Sequence, residues 1–262
     1  DFEVTPKNFG RVAAQLAKGV VTQRIREAER SIIYGEYKEK EYDIITGTVL
    51  REDKGNVFVN IGKLETAIGP NEQIPREKYK FNEKIKLYVV EVKNTPKGAQ
   101  IIVSRTHPGL VKRLFELEVP EIYEGVVEIK SISREAGSRS KIAVISHDEN
   151  VDPMGACVGP KGSRVQNIVN ELKGEKIDII KWSKNPEEFI ASSLSPAKVL
   201  SVTVDEENKS AKVVVDDNQL SLAIGKEGQN VRLAAKLTNW KIDIKSKSQA
   251  EAAQETTETI EE

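Results

Sequence analysis

One pattern occurs twice in this chain and constrains its second half more than any other feature. Cys157-Val158-Gly159-Pro160-Lys161-Gly162 and Ala223-Ile224-Gly225-Lys226-Glu227-Gly228 each place a small apolar pair ahead of G-x-x-G, 66 residues apart (225 minus 159). Val165 and Val231 follow at the same offset, and Lys-Ile-Asp-Ile closes both units, at 176–179 and 241–244. Such a repeat marks two copies of one supersecondary unit. Alternating apolar residues predict strands over 126–133 and 141–146 ahead of the first loop, and over 199–204 and 212–215 ahead of the second. Helices are predicted over 108–117 and 186–194, so each unit reads α-β-β-α-α-β.

Each G-x-x-G lets the backbone turn tightly and lets a polymer backbone approach with no Cβ in the way. The helix behind it offers free N–H groups and a positive dipole end, which suit phosphate. Bases would then lie along the groove beside the loop, as in a KH module reading about four nucleotides of single-stranded RNA. Aromatic stacking is not needed, which fits 14 aromatic residues in 262 (6 Phe, 6 Tyr, 2 Trp) and argues against an RRM-type platform. A lone G-x-x-G usually marks a turn or close helix packing; two in matched contexts point to two KH modules. The residues expected at RNA are Gly159, Pro160, Lys161, Gly162, Ser163 and Arg164, then Gly225, Lys226, Glu227, Gly228, Gln229, Asn230 and Arg232. Lys161 and Lys226 are the loop cations, Pro160 stiffens its turn, and Ser163 and Arg164 open the helix behind. Glu227 should repel phosphate, so the second clamp is expected to be the weaker, with Gln229, Asn230 and Arg232 compensating in part.

Other motifs read as structural. Gly159-Pro160-Lys161-Gly162-Ser163 has a P-loop's ingredients, but that motif needs Gly-Lys followed directly by Ser or Thr. His107 and His147 lack a paired nucleophile and are read as surface histidines. Cys157 is read as packing on the apolar flank of the first loop, and Trp182 and Trp240 as caps on the cores. Asp205-Glu206-Glu207 reads as a hairpin turn and Asp216-Asp217 as a helix start rather than a metal site. No catalytic residue, metal or cofactor is expected.

The first half differs in period. Thr5-Pro6 signals a helix start, and Phe9, Val12, Ala13, Leu16, Val20 and Ile25 follow at helical spacing, with Gly35 expected to end the helix after Ile33. Lys18, Arg24, Arg26 and Arg30 line its other face, read either as solvated or as part of a connector. From Ile44 the period becomes two, giving five short strands separated by turns at Asp53-Lys54-Gly55, Gly62-Lys63 and Pro96-Lys97-Gly98. Five strands in this length suit a small OB-type barrel, a common binder of single strands. Its candidate RNA surface is Phe58 for stacking with Arg51, Lys54 and Arg105 for phosphate, although Phe58 as core is an equal reading. Residues 116–128 hold five glutamates and no basic residue, include Pro120 and Gly125, and are read as a linker or domain edge.

Bulk charge names no partner: 40 basic residues stand against 41 acidic ones. One cysteine cannot form an internal disulfide, and no apolar run approaches membrane-spanning length, so a cytoplasmic monomer without membrane contact is expected. The opening Asp-Phe-Glu is read as the start of an excised piece of a longer protein. The expected division is a connector helix at 1–40, an OB barrel at 41–106, KH units at 107–183 and 184–246, and a disordered tail at 247–262. That tail holds Lys247 against five glutamates and little that could build a core.

The order of these parts, with Val-Asp-Pro-Met-Gly-Ala-Cys-Val-Gly-Pro-Lys-Gly at 151–162 and Leu-Ala-Ile-Gly-Lys-Glu-Gly-Gln-Asn-Val-Arg-Leu-Ala at 222–234, closely resembles the NusA family of bacterial transcription termination and antitermination factors. Ser-Arg-Thr-His-Pro at 104–108 and Glu-Val-Pro-Glu-Ile at 118–122 look like that family too. The resemblance implies an α+β multidomain chain: a connector helix, a five-stranded S1-type barrel and two tandem type II KH domains. It implies no enzyme, but a factor that holds nascent single-stranded RNA and modulates RNA polymerase pausing, termination and antitermination. RNA polymerase, docked mainly through an N-terminal domain of which only the last helix survives here, and other elongation factors are the implied partners. Two alternatives compete. An RNA-processing exoribonuclease usually places one KH before its barrel, the reverse of this order. A ribosome-associated KH protein should be strongly basic, whereas residues 107–246 sum to −1 (20 basic, 21 acidic).

Overall fold

The computed structural model describes residues 9–252 except 97. The Thr5-Pro6 helix start, the Lys97 turn position and tail residues 253–262 lie outside the described residues. Two compact units emerge, one of residues 9–72 and 79–104, the other of residues 73–78 and 105–252.

The first unit opens with helix α1 (Phe9–Lys38). It runs through Gly35, where the sequence predicted a stop. Tyr37, only 2% exposed, donates its hydroxyl to Ile61 O at 2.9 Å, and Ile33 and Tyr34 pack on the barrel core. That tertiary packing offsets the roughly 1 kcal/mol that glycine costs a helix. Val12, Leu16, Val20 and Ile25 of the predicted apolar stripe remain exposed. Strands β1 (Ile44–Asp53), β2 (Asn56–Asn60), β3 (Glu65–Ile68), β4 (Lys84–Thr95) and β5 (Gly98–Ser104) form one antiparallel sheet in the order β3-β2-β1-β4-β5. Alternate residues Val57, Val59, Ile85, Leu87, Val89, Ile101 and Val103 fill its interior. The Thr66 hydroxyl donates to Ile101 O at 2.6 Å, drawing β3 towards β5 so that the sheet nearly closes. Lys54 (φ 49°) and Gly55 (φ 78°) make the two-residue hairpin between β1 and β2 with both central φ positive, as a type I′ turn requires.

The second unit contains α2 (Pro108–Glu118), α3 (Pro120–Tyr123), β6 (Val127–Glu135), β7 (Arg139–Ser146), α4 (Pro153–Val158), α5 (Ser163–Glu171) and β8 (Lys176–Lys181). It continues with α6 (Pro186–Ser193), β9 (Val199–Asp205), β10 (Ser210–Val215), α7 (Leu220–Ile224), α8 (Gln229–Thr238) and β11 (Lys241–Ser246). Both halves make the same three-stranded sheet. The first two strands pair antiparallel, and the last lies parallel to the middle one. The acidic stretch after α2 is not a linker: Val119 is fully buried, Ile122 is 9% exposed, and Pro120 starts α3. Of the tail expected to be disordered, residues 247–252 are helical, and there the Ser248 hydroxyl donates to Asp217.

Residues 73–78 belong to this second unit although they fall between β3 and β4 of the first. Ile74 is 3% exposed, and the Glu77 carboxylate receives two bonds from the buried Arg105 guanidinium, at 2.8 and 2.6 Å. Arg105 also donates to Glu171 O at 3.0 Å.

Candidate nucleic-acid interface

The two G-x-x-G loops share one backbone. Gly159 (φ 73°, ψ 176°) matches Gly225 (77°, 171°), Lys161 (53°, 27°) matches Glu227 (53°, 28°), and Gly162 (77°, 12°) matches Gly228 (73°, 16°). Matched angles thus differ by 5° at most, although both variable residues differ. Asp152 prepares the first loop by accepting from Met154 N and Gly155 N, which starts α4 at Pro153. The first helical turn of α5, and likewise of α8, has no side chain bonded to its N–H groups. Lys161 and Lys226 stand exposed beside those donors, and neither has an ion-pair partner among the described residues. Ser163 N donates to Pro160 O and Gln229 N to Lys226 O, so it is the next N–H groups of each helix, with a positive dipole end and a cation, that make an anion-attracting corner at each loop. Val158 and Ile224, each 37% exposed, stand immediately before the glycines and offer an apolar surface beside each corner.

The glycines within each loop do different work. A Cβ on Gly159 would come within 2.5 Å of Arg164 Cγ, and one on Gly225 within 2.7 Å of Asn230 N, whereas a Cβ on Gly162 meets nothing within 4 Å. The first glycine is required by packing against the next helix; the second keeps the approach to that helix open. Arg164 and Asn230 are equivalent positions (164 plus 66), and both turn inward. Arg164 Nη1 donates to Ala156 O at 2.7 Å and to Glu121 at 2.8 Å. Asn230 is 4% exposed, its amide donating to Leu194 O at 2.9 Å and Ala223 O at 3.0 Å. These two residues, expected at RNA, tie the helix before each loop to the helix after it. The sequence places a long polar residue after each G-x-x-G without showing which way it points.

Gln229 and Arg232 are also engaged. The Gln229 amide donates to Glu135 at 2.8 Å and Ser138 at 2.7 Å, and Arg232 Nε donates to Glu135 at 2.6 Å. The Arg232 guanidinium holds the Glu135 carboxyl below its ordinary value, against burial, which pushes it up. The start of α8 is thereby latched to the β6–β7 hairpin of the first KH unit. Beneath that hairpin lies a buried network in which Arg134 Nη2 donates to Glu175 at 2.9 Å, while Gly137 N and Ser140 Oγ donate to the same carboxylate. A second junction joins Ala143 and Ile180 of the first KH unit to Phe189 and Leu237 of the second, with Trp182 against them. At its edge Lys141, fully buried, donates to Asp178 at 3.1 Å and to Ser195 O at 2.8 Å. Burial pushes the Lys141 ammonium below its usual value; burial alone would raise Asp178, but Arg139 and Lys141 outweigh it and hold it low. Sequence reasoning missed Glu135, Ser138 and Lys141, because nothing in a linear pattern marks which surface two neighbouring units share.

The barrel candidates are placed differently. Arg51 lies over the Phe58 ring at 4.3 Å and pairs with Glu65, so cation and ring are engaged with each other. Phe58 is half-buried and Lys54 exposed in its turn. Arg105 is 0% exposed and bound to Glu77, so the phosphate-facing position expected for it on the barrel is corrected: it is a buried anchor of the second unit. Cys157 is fully buried, and burial raises its thiol to about 12. His107 Nδ1 accepts from Gly109 N and caps α2. Among the described residues no group of His, Cys, Asp and Glu could hold a metal ion, and no helix is long and apolar enough to cross a membrane.

An OB-type barrel unit, followed by a unit that carries two matched G-x-x-G loops, defines a tandem-KH chain of the RNA-binding class. Family models agree on the parts: a NusA-like first KH domain matches residues 105–182, a NusA-like second KH domain 186–252, and a NusA N-terminal domain 1–31. The transcription termination/antitermination protein NusA of Bacillus subtilis is 64% identical over 250 residues, covering 95% of this chain and 67% of that protein. Its counterpart in Halalkalibacterium halodurans is 63% identical, covering 96% and 66%, and that of Mycobacterium bovis 50% identical, covering 94% and 73%. The chain belongs to the NusA family. It spans about two thirds of the length of the first two of these relatives.

Proposed function

We propose that this chain is the RNA-holding part of a transcription elongation factor that modulates pausing, termination and antitermination by RNA polymerase. The observation that carries this reading is the pair of loops with one backbone geometry, each aiming uncapped helix N–H groups and a lysine outward. Phosphates of a single strand bind at Gly159–Gly162 and Gly225–Gly228, with Pro160, Lys161 and Ser163 at the first loop and Lys226 at the second. Bases lie along Val158 and Ile224. Arg164, Asn230, Gln229 and Arg232 serve by setting loop shape and spacing. Joining two weak sites in one body raises the effective concentration of the second towards the millimolar range. No bond is made or broken. RNA polymerase and other elongation factors are the protein partners, reached chiefly through regions outside this chain, and the setting is the bacterial cytoplasm.

The test is binding of a labelled unstructured RNA across a salt series. The comparison is a variant with Pro160, Lys161, Lys226 and Glu227 all changed to aspartate, its folding checked by circular dichroism. The variant should lose most affinity and show a flatter salt slope. Unchanged affinity in the folded variant would refute the clamps as the RNA site.

A further inference from the structure

A pocket of about 460 Å³ opens beside the second loop, lined by Arg76, Glu135, Lys226, Glu227, Gln229 and Arg232 among others. Its charge is informative. Arg232 is balanced by Glu135. Lys226 is opposed by Glu227, the residue that makes this loop less cationic than the first. Three cations stand against two carboxylates, a net charge of +1, and Arg76 and Lys226 are the lining cations with no ion-pair partner among the described residues.

Arg76 is also displayed in an unusual way. Its φ is 68°, a left-handed conformation that costs an arginine about 1 kcal/mol. The segment is pinned on both sides of it. Ile74 lies buried where a Cβ on Gly137 would reach its Cγ2 at 2.7 Å, and Glu77 is held by Arg105. Arg76 itself is exposed, with no ion-pair partner among the described residues. A strained, unpaired arginine on a fixed tip, facing a pocket beside an uncapped helix, is preorganised for an anion.

We infer that Arg76 is an RNA phosphate ligand of the second clamp, acting with Lys226 on the strand that enters this pocket. The inference rests on the RNA-clamp reading above. It gives the second loop, although it carries Glu227, a cation from a segment distant in sequence.

The test uses the whole chain and a labelled unstructured RNA of about twelve nucleotides, long enough for two KH grooves. Arg76→Glu should weaken binding about tenfold at low salt, and both it and Arg76→Ala should lower the salt slope by about 0.7, the loss of one single-strand phosphate contact. Arg76→Lys should restore most of that slope. Alanine at φ 68° is no more strained than arginine, so matched thermal unfolding of Arg76→Ala shows that the fold is intact. Wild-type affinity and slope in Arg76→Glu, while Lys226→Asp is impaired, would overturn the inference and leave the clamp reading standing. Failure of the wild-type chain to bind RNA at all would instead remove the clamp reading. Inorganic phosphate followed by phosphorus NMR separates the remaining source: phosphate binding lost in Arg76→Glu with RNA affinity undiminished would mean a small-anion site and overturn the assignment to the strand.

Discussion

Alanine substitution at the four loop glycines should give a graded series, because each glycine is held for a different reason. Gly162 and Gly228 are left-handed with open space around them, so alanine there costs about 1 kcal/mol of backbone strain. Gly159 and Gly225 combine positive φ with ψ near 175°, a region essentially reserved for glycine, at about 1–3 kcal/mol for another residue. Contact adds to that. The atoms crowding Gly159 belong to the Arg164 side chain, whose Cγ and Cδ can rotate away although its Cβ at 2.9 Å cannot, whereas at Gly225 the nearest is the backbone nitrogen of Asn230, fixed in α8. The expected order of destabilisation is Gly225→Ala, then Gly159→Ala, then Gly162→Ala and Gly228→Ala together. In a unit of this size each kcal/mol lowers Tm by about 2–4 °C, so Gly225→Ala should drop it by about 6 °C or more and Gly162→Ala by about 2–4 °C. Thermal unfolding by circular dichroism measures this. Equal shifts at Gly225 and Gly228 would refute the claim that the first glycine is a packing requirement and the second an opening.

Removing the latch should be visible against pH. Glu135 has its folded value depressed by Arg232, so its contribution is present above the unfolded value of 4.5 and is lost as pH falls through the folded value; Glu135→Gln should flatten the fall in Tm on acidification below 4.5. Lys141→Ala should destabilise by about 3 kcal/mol in urea unfolding, since it leaves Ser195 O and part of Asp178 unmet, and Lys141→Met should cost less by filling the same volume. Cys157, buried with its thiol raised to about 12, should resist a thiol reagent at pH 8 in the folded chain and react once it is unfolded; fast labelling of the native state would contradict its placement.

Periodicity carried most of the fold. The strand alternation from Ile44 and the 66-residue repeat both report local geometry, and local geometry is what side-chain spacing encodes. The readings that failed depended on neighbours far away in sequence. Gly35 stays helical because Tyr37 is anchored on Ile61, and Val119 and Ile122 are buried although glutamates surround them. At the site, loop shape was legible from the glycines, but the direction of Arg164 and Asn230 was not, since a helix start offers a polar side chain both solvent and the preceding carbonyls. Arg105 reads as an exposed cation until its partner is known, and Glu77 lies 28 residues upstream.

The passage of residues 73–78 through the second unit bears on how evolution or an engineer could divide this chain. A cut after Ser104 looks natural, because β5 ends there and the KH region follows without a break. It would nevertheless strip that region of Ile74 and Glu77, leaving the buried Arg105 guanidinium with Glu171 but without its two bonds to Glu77, and a vacancy against Gly137. The tandem KH region is therefore not a cassette that can be exchanged on its own. A gene fusion that swapped the barrel alone would need to carry this short upstream sequence across, or replace Arg105 with an apolar residue.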